Sequence, residues 1–183
     1  MSCITVGLDG NDTITSFGAG NLINGNQGDD LITGGPGNDT LYGGQGNDTI
    51  TGGTGQSVLN GNIGNDIVHA GDGGNMIYGG QGNDTLYGGA GADTLSGDLG
   101  NDILYGGAGA DHFMFRPGSG QDWIADFHQA EGDRVVLPTG TAYTVTSLDN
   151  QVVVDLGHGD TIGLVGVSLS QLPANVGDWL TFA

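Results

Sequence analysis

Nine aspartates of this 183-residue chain keep one phase. Asp12, Asp30, Asp39, Asp48, Asp66, Asp84, Asp93, Asp102 and Asp111 follow one another at intervals of nine or eighteen residues. A single Asp in a turn needs no special explanation, because its short side chain hydrogen-bonds the nearby backbone. Nine in one phase point to oxygen ligands for a hard cation. All-oxygen coordination from flexible turns suits Ca²⁺, whereas Mg²⁺ wants stricter octahedral geometry and retains its water. Zinc would want sulfur or imidazole, and the chain has one cysteine, Cys3, and four scattered histidines. The lone cysteine also excludes an internal disulfide. There is no H-E-x-x-H, G-x-S-x-G or P-loop pattern, so the chain is not expected to be an enzyme.

The elements that carry these carboxylates are twelve nonapeptides running without a gap from Gly7 to Met114. Four of them read GGPGNDTLY (34–42), GGQGNDTIT (43–51), GGQGNDTLY (79–87) and GGAGADTLS (88–96). The sixth position is the aspartate position. The eighth holds Ile14, Ile23, Ile32, Leu41, Ile50, Leu59, Val68, Ile77, Leu86, Leu95, Leu104 and Phe113, all apolar. With 36% hydrophobic residues overall, chance would do this roughly five times in a million, which argues against disordered low complexity. The last three positions read as a short strand with its middle side chain buried. The first six read as a turn, with glycines where the backbone must enter positive φ. Where the second glycine is missing, Asn26, Asn62 and Asp98 stand in, and Asn and Asp tolerate that region best. Leu8 and Phe17 break the rule, which predicts a distorted first turn. A three-residue strand buries too little to stand alone, so the units must stack.

Composition narrows the partners. The net charge is −19, from twenty Asp and one Glu against Arg116 and Arg134, with no lysine. Such a surface repels nucleic acid and anionic membranes and attracts cations. No apolar run reaches membrane-spanning length, and residues 1–6 lack the basic region and apolar core of a Sec signal.

The nonapeptides over Gly7–Met114 resemble the RTX, or hemolysin-type, calcium-binding repeat family. That resemblance implies an all-β fold: a parallel β-roll of about six turns, two nonapeptides to a turn, with six strands in each of two facing sheets. It divides the chain into a lead-in (residues 1–6), the roll (7–114) and a C-terminal flank (115–183). The stretches Phe115–Asp122, Asp126-Phe127 and Asp133–Leu137 resemble the flank that follows RTX repeats, which accounts for Asp122 and Asp126 better than a glycosidase-like carboxylate pair. Thr141–Thr146, Gln151–Leu156 and Asp160–Val167 alternate β-branched residues between turn signals. They are expected to form an antiparallel cap over the open end of the roll. The resemblance also implies type I export of an unfolded chain. The ending Asp178–Ala183, an acid followed by apolar residues, looks like the uncleaved signal such export uses, or like a final strand.

Two nonapeptides per turn would stack residues eighteen apart, about 4.8 Å from one another. Two unit charges at that distance repel by roughly 3.5 kcal/mol at an effective dielectric near 20, and the repeats contain no Lys or Arg in compensation. The odd-numbered nonapeptides keep a full row (Asp12, Asp30, Asp48, Asp66, Asp84, Asp102). The even-numbered ones read Asn21, Asp39, Ser57, Asn75, Asp93, Asp111. Five two-carboxylate sites are expected on the odd edge and one on the even edge, between Asp93 and Asp111, with Asp39 completing none. Extracellular calcium modules bind at about 10⁻⁴–10⁻³ M. At millimolar calcium each site then adds roughly 0.4–1.4 kcal/mol. Six such sites approach the stability of a whole domain, so the chain is expected to be unfolded in a cytosol and folded outside the cell.

Other roles remain open on sequence alone. The chain could be the secretion and folding module of a larger secreted enzyme. It could also be a calcium-rigidified binding module such as an adhesin or a carbohydrate binder, through outward residues Leu22, Tyr42, Val58, Met76, Tyr78 and Met114. Ice binding would need threonine at position three beside the Asx row at position five. Position three holds Asp9, Gln27, Gln45, Ile63, Gln81 and Leu99 instead.

Overall fold

The computed structural model describes residues 4–183; Cys3 lies outside the described residues. Each nonapeptide forms a strand and a turn, and successive strands fall alternately into two sheets. One sheet contains, in spatial order, Ile4–Val6, Leu22–Gln27, Thr40–Gln45, Val58–Ile63, Met76–Gln81, Thr94–Leu99, His112–Met114, Arg134–Leu137 and Leu180–Phe182. The other begins with Thr13–Thr15, Leu31–Gly35, Thr49–Gly53, Ile67–Asp72, Thr85–Ala90, Ile103–Ala108 and Gln121–Ile124. It ends with Asp160–Leu164, Gln151–Gly157 and Thr144–Leu148. Within the repeats every strand pairs in parallel with the one eighteen residues on, as in Leu41↔Leu59 and Leu86↔Leu104. The fold is the all-β parallel roll expected, with two nonapeptides per turn.

Most strands are five or six residues long rather than three. Pairing resumes beyond the first position of the next nonapeptide, as in Asn62↔Gly80 and Ile63↔Gln81, so the start of each turn is still ladder. The eighth-position side chains from Ile23 to Phe113 are fully buried in a double row. Ile14 is only partly buried, and Leu8 and Phe17 are 77% and 88% exposed, which is the distorted first turn. Asn26, Asn62 and Asp98 have φ of 86°, 77° and 68°, the left-handed conformation their residue types predict.

The parallel stack continues past Met114. Gln121–Ile124 pairs with Ile103–Ala108 at an offset of twenty residues (Ile103↔Trp123), and Arg134–Leu137 pairs with His112–Met114 at an offset of twenty-two (His112↔Arg134). The solenoid therefore runs about seven turns. The antiparallel meander Thr144–Leu148, Gln151–Gly157, Asp160–Leu164 exists as expected. It prolongs one sheet, however, by pairing Asp160–Leu164 in parallel with Gln121–Ile124. The core ends in an aromatic plug, with Phe127 6.2 Å from Phe113 and 6.5 Å edge-on to the buried Trp179. Leu180–Phe182 is a strand beside Arg134–Leu137.

Candidate metal centre

The roll places the sixth-position residues at the ends of the strands, one per turn on each edge. On the odd edge the six predicted aspartates form a continuous hydrogen-bonded ladder. The N–H of Asp12 donates to Oδ1 of Asp30, Asp30 to Asp48, Asp48 to Asp66, Asp66 to Asp84 and Asp84 to Asp102, all at 2.7–2.8 Å. From Asp30 on, these residues are at most 3% exposed. One oxygen of each carboxylate is thus committed to the backbone of the preceding turn.

The second oxygen is not. Oδ2 of Asp30, Asp39, Asp48, Asp66, Asp84, Asp93, Asp102 and Asp111 is buried with no hydrogen-bond partner. Eight buried, unpaired acceptors are far more than a native domain leaves without cause. Each lies against the first-position glycine of its own nonapeptide. A Cβ on Gly61 would collide with Asp66 Oδ2 and with the carbonyl oxygen of Gly79, one turn on. The same arrangement holds at Gly25, Gly43 and Gly79 on the odd edge and at Gly34 and Gly88 on the even edge. A carboxylate oxygen and a backbone carbonyl therefore face one cramped space, and both are oxygen donors of the kind that calcium takes six to eight of. The sequence carries the same message: where the sixth position is Asn21 or Asn75, the first is Ser16 or Ala70. A side chain at position one occurs in the repeats only where no carboxylate stands opposite.

Burial raises the affinity of Asp48, Asp66, Asp84, Asp93, Asp102 and Asp111 for protons. Asp48, Asp84 and Asp102 are pushed from 3.8 to about 7, and Asp66 and Asp111 to about 6, chiefly because burial disfavours the charged form. Repulsion from Asp66 and Asp30 adds to the shift of Asp48. Among the described residues no three Asp, Glu, His or Cys side chains converge, so any cation here must draw on backbone carbonyls as well.

The even edge manages its charge differently. Asn21 donates its side-chain N–H to Oδ1 of Asp39 at 2.8 Å, and Asn75 does the same to Asp93 at 3.2 Å. Ser57 accepts from the N–H of Asp39. Amide hydrogens there offset part of the negative charge, as no side-chain amide does for the position-six aspartates of the odd edge among the described residues. Asp93 and Asp111 remain as the one adjacent carboxylate pair of the even edge, with the backbone N–H of Asp93 donating to Oδ1 of Asp111 at 2.8 Å.

Sequence reasoning missed the last rungs. Asp122 accepts the N–H of Asp102, and Asp133 that of Asp111, both at 3.0 Å. Their second oxygens are satisfied, Asp122 by the Ser119 hydroxyl at 2.9 Å and Asp133 by the N–H of His128 at 2.7 Å. At the other end Asp12 Oδ2 accepts the N–H of Leu8. Hydrogen bonds thus close the odd row at both ends and the even row at its C-terminal end. Asp126 holds the N–H groups of Gly106 and Gly107, so Asp122 and Asp126 each bind backbone. The signal was present as Gly120-x-Asp122-x-Ile124 and Gly132-Asp133-x-Val135, displaced from the repeat phase by two and then four residues.

A family profile described as the RTX calcium-binding nonapeptide repeat (four copies) matches residues 15–50, 42–77 and 78–113. No curated protein matches the chain. Among solved structures it is similar to an extracellular lipase, LipA, from Serratia marcescens, at 20% identity and a TM-score of 0.41. That match covers 98% of this chain and 40% of the lipase. It is also similar to the AlgE6R3 subunit of the Azotobacter vinelandii mannuronan C5-epimerase, at 25% identity and a TM-score of 0.33, covering 74% of this chain and 77% of that one.

Proposed function

Because the chain belongs to the RTX calcium-binding nonapeptide repeat family, whose profile covers more than half of it, we propose that its calcium sites are a folding switch. The chain is a calcium-binding β-roll. On this reading it crosses to the cell exterior unfolded and folds there on meeting calcium. The observation that carries the reading is the set of eight buried, unpartnered Oδ2 atoms, because a buried carboxylate without a counter-charge opposes folding.

On the odd edge Asp30, Asp48, Asp66, Asp84 and Asp102 would hold the ions, with carbonyls of first-position glycines such as Gly43 and Gly79. Asp12, whose Oδ2 already accepts the N–H of Leu8, would complete the first site at the end of the row. On the even edge the pair is Asp93 and Asp111. Asp39 also has an unpartnered Oδ2, but Asn21 and Ser57 rather than carboxylates stand on the turns beside it, so it contributes little. Bound calcium supplies the positive charge that the repeats lack. The turns then keep their backbone ladders and the eighth-position residues stay dry. Type I machinery is the export partner, and the Asp178–Ala183 ending serves as its signal in the unfolded chain, then as the last strand in the folded one. Circular dichroism tests the folding step. In EDTA the chain should be coil, and millimolar Ca²⁺, not Mg²⁺, should restore β-structure cooperatively. A fully β-structured chain in EDTA at neutral pH would overturn the reading.

A further inference from the structure

The outward face of one sheet carries a pattern with no bearing on calcium. In register across the strands, its ninth-position residues are Asn24, Tyr42, Asn60 and Tyr78, followed by Ser96, which is buried. Tyrosine alternates with a small polar residue, so Tyr42 and Tyr78 stand two turns apart, about 9.5 Å along the roll axis. Neither ring stacks on another aromatic among the described residues. On the opposite sheet, by contrast, His69, Tyr87 and Tyr105 stack face to face at 4.5 and 4.7 Å, which covers both faces of Tyr87.

Tyr78 also lines a cleft of about 670 Å³ between this face and the loop Arg116–Ser119. Ile63 and Leu99, 47% and 53% exposed, give it an apolar strip. Asn60 and Gln81 give it amide groups. Asn60 Oδ1 is taken by the N–H of Asn62 at 2.9 Å, which leaves its NH₂ directed to other partners. Arg116 and Asp98 pair at 3.7 Å in the one salt bridge among the described residues. The cleft is therefore close to electrically neutral on a protein of net charge −19. Six bound calcium ions would reduce that charge to about −7 without reversing it, so an acidic polymer would still meet a negative surface without a basic patch to receive it. A cationic peptide would favour the carboxylate-rich edges. Aromatic rings, apolar strips and planar amides together suit a neutral polyhydroxylated chain, whose sugar rings have apolar faces and hydroxyl edges.

We propose that this face binds a neutral β-1,4-linked glycan laid along the roll axis. In such a ribbon successive sugars turn over, so the same face returns at every second residue. That repeat is close in length to the roughly 9.5 Å that separates Tyr42 and Tyr78 along the axis. The site rests on the calcium-folded roll, since only stacked turns bring the two tyrosines into one row.

The test uses the full calcium-loaded chain, its fold checked in parallel by circular dichroism, and calorimetric titration with hexasaccharides. Cellohexaose and chitohexaose probe the neutral β-1,4 class, maltohexaose an α-linked chain and a β-linked uronate hexamer an acidic one. The neutral β-linked probes should bind best. Tyr78→Ala should weaken binding about tenfold or more, as for one lost aromatic anchor, and Tyr42→Ala should act similarly. Tyr87→Ala on the opposite face should leave it unchanged. If Tyr78→Ala loses β-structure, the exposed Gln81→Ala carries the same expectation of weaker binding. The proposal fails if a β-structured, calcium-loaded chain binds no neutral β-linked probe, prefers the uronate or α-linked probe, or responds to Tyr87→Ala as strongly as to Tyr78→Ala. A chain that shows no calcium-dependent fold would count against the folding switch instead.

Discussion

The backbone N–H of Asp66 donates to Oδ1 of Asp84 at 2.7 Å, while Oδ2 of Asp84 has no partner at all. That division within one side chain defines the odd edge. One oxygen ties two turns together. The other is buried against Gly79 and faces the carbonyl of Gly97. A structure made of such rungs is cohesive and charged at once, and the proposed calcium would reconcile the two.

The first prediction concerns pH. In the metal-free roll, Asp48, Asp84 and Asp102 have affinities raised from 3.8 to about 7. Their folded values lie above the unfolded one, so between about pH 4 and pH 7 the folded state binds more protons. Stability without calcium is then greatest at the acid end and falls as pH rises through 7. In EDTA, circular dichroism should show more β-structure at pH 5 than at pH 7.5. In calcium the trend reverses for affinity, because protons compete, and the calcium midpoint should rise as pH falls.

The second prediction concerns the first-position glycines. Gly61→Ala puts a Cβ into Asp66 Oδ2 and the Gly79 carbonyl, an overpacking that should cost about 1–3 kcal/mol. Thermal unfolding in saturating calcium should show that loss and a higher calcium midpoint. Gly52→Ala meets no carboxylate, since Ser57 occupies position six, and only the Ala70 carbonyl and Leu59 crowd it. Its calcium midpoint should move far less.

The third concerns the aromatic plug. Trp179 is 1% exposed and meets Phe127 edge-on. Trp179→Ala should cost about 3–5 kcal/mol, read as a fall in the thermal midpoint of the calcium-loaded chain.

The fourth concerns export. Because Leu180–Phe182 is also a structural strand, deleting it would confound folding with secretion. Fusing residues 115–183 to an inert passenger in a type I-competent host separates them. The passenger should appear in the medium, and should stay in the cells when Asp178–Ala183 is removed from the fusion.

Much of this was legible because the repeat is strict. The eighth-position residues and the aspartate rows each obey one spacing, and side-chain burial follows directly from it. The flank was harder. Asp122 and Asp133 continue the rows, but two and then four extra residues shift their phase, and a fixed-period reading passes over them. The outer ladder on the odd edge was also only half visible. The row Asn11, Asp29, Asn47, Asn65, Asn83, Asn101 could be read, but not its hydrogen bonds. There each side chain accepts the N–H of the next turn, opposite in sense to the position-six ladder. The even edge could be seen to lack aspartates. That Asn21 and Asn75 offer their amides to Asp39 and Asp93 needed coordinates, since direction is not a property of spacing.

The central claim is that the buried position-six carboxylates hold the calcium, chiefly on the odd edge. Calorimetric calcium titration of three chains tests it most directly. Relative to the parent, Asp66→Ala should raise the calcium midpoint and lower the stoichiometry by up to two ions, because Asp66 lies between Asp48 and Asp84. Asp39→Ala, flanked by Asn21 and Ser57, should change little. Equal losses from the two substitutions, or no loss from Asp66→Ala, would contradict the account.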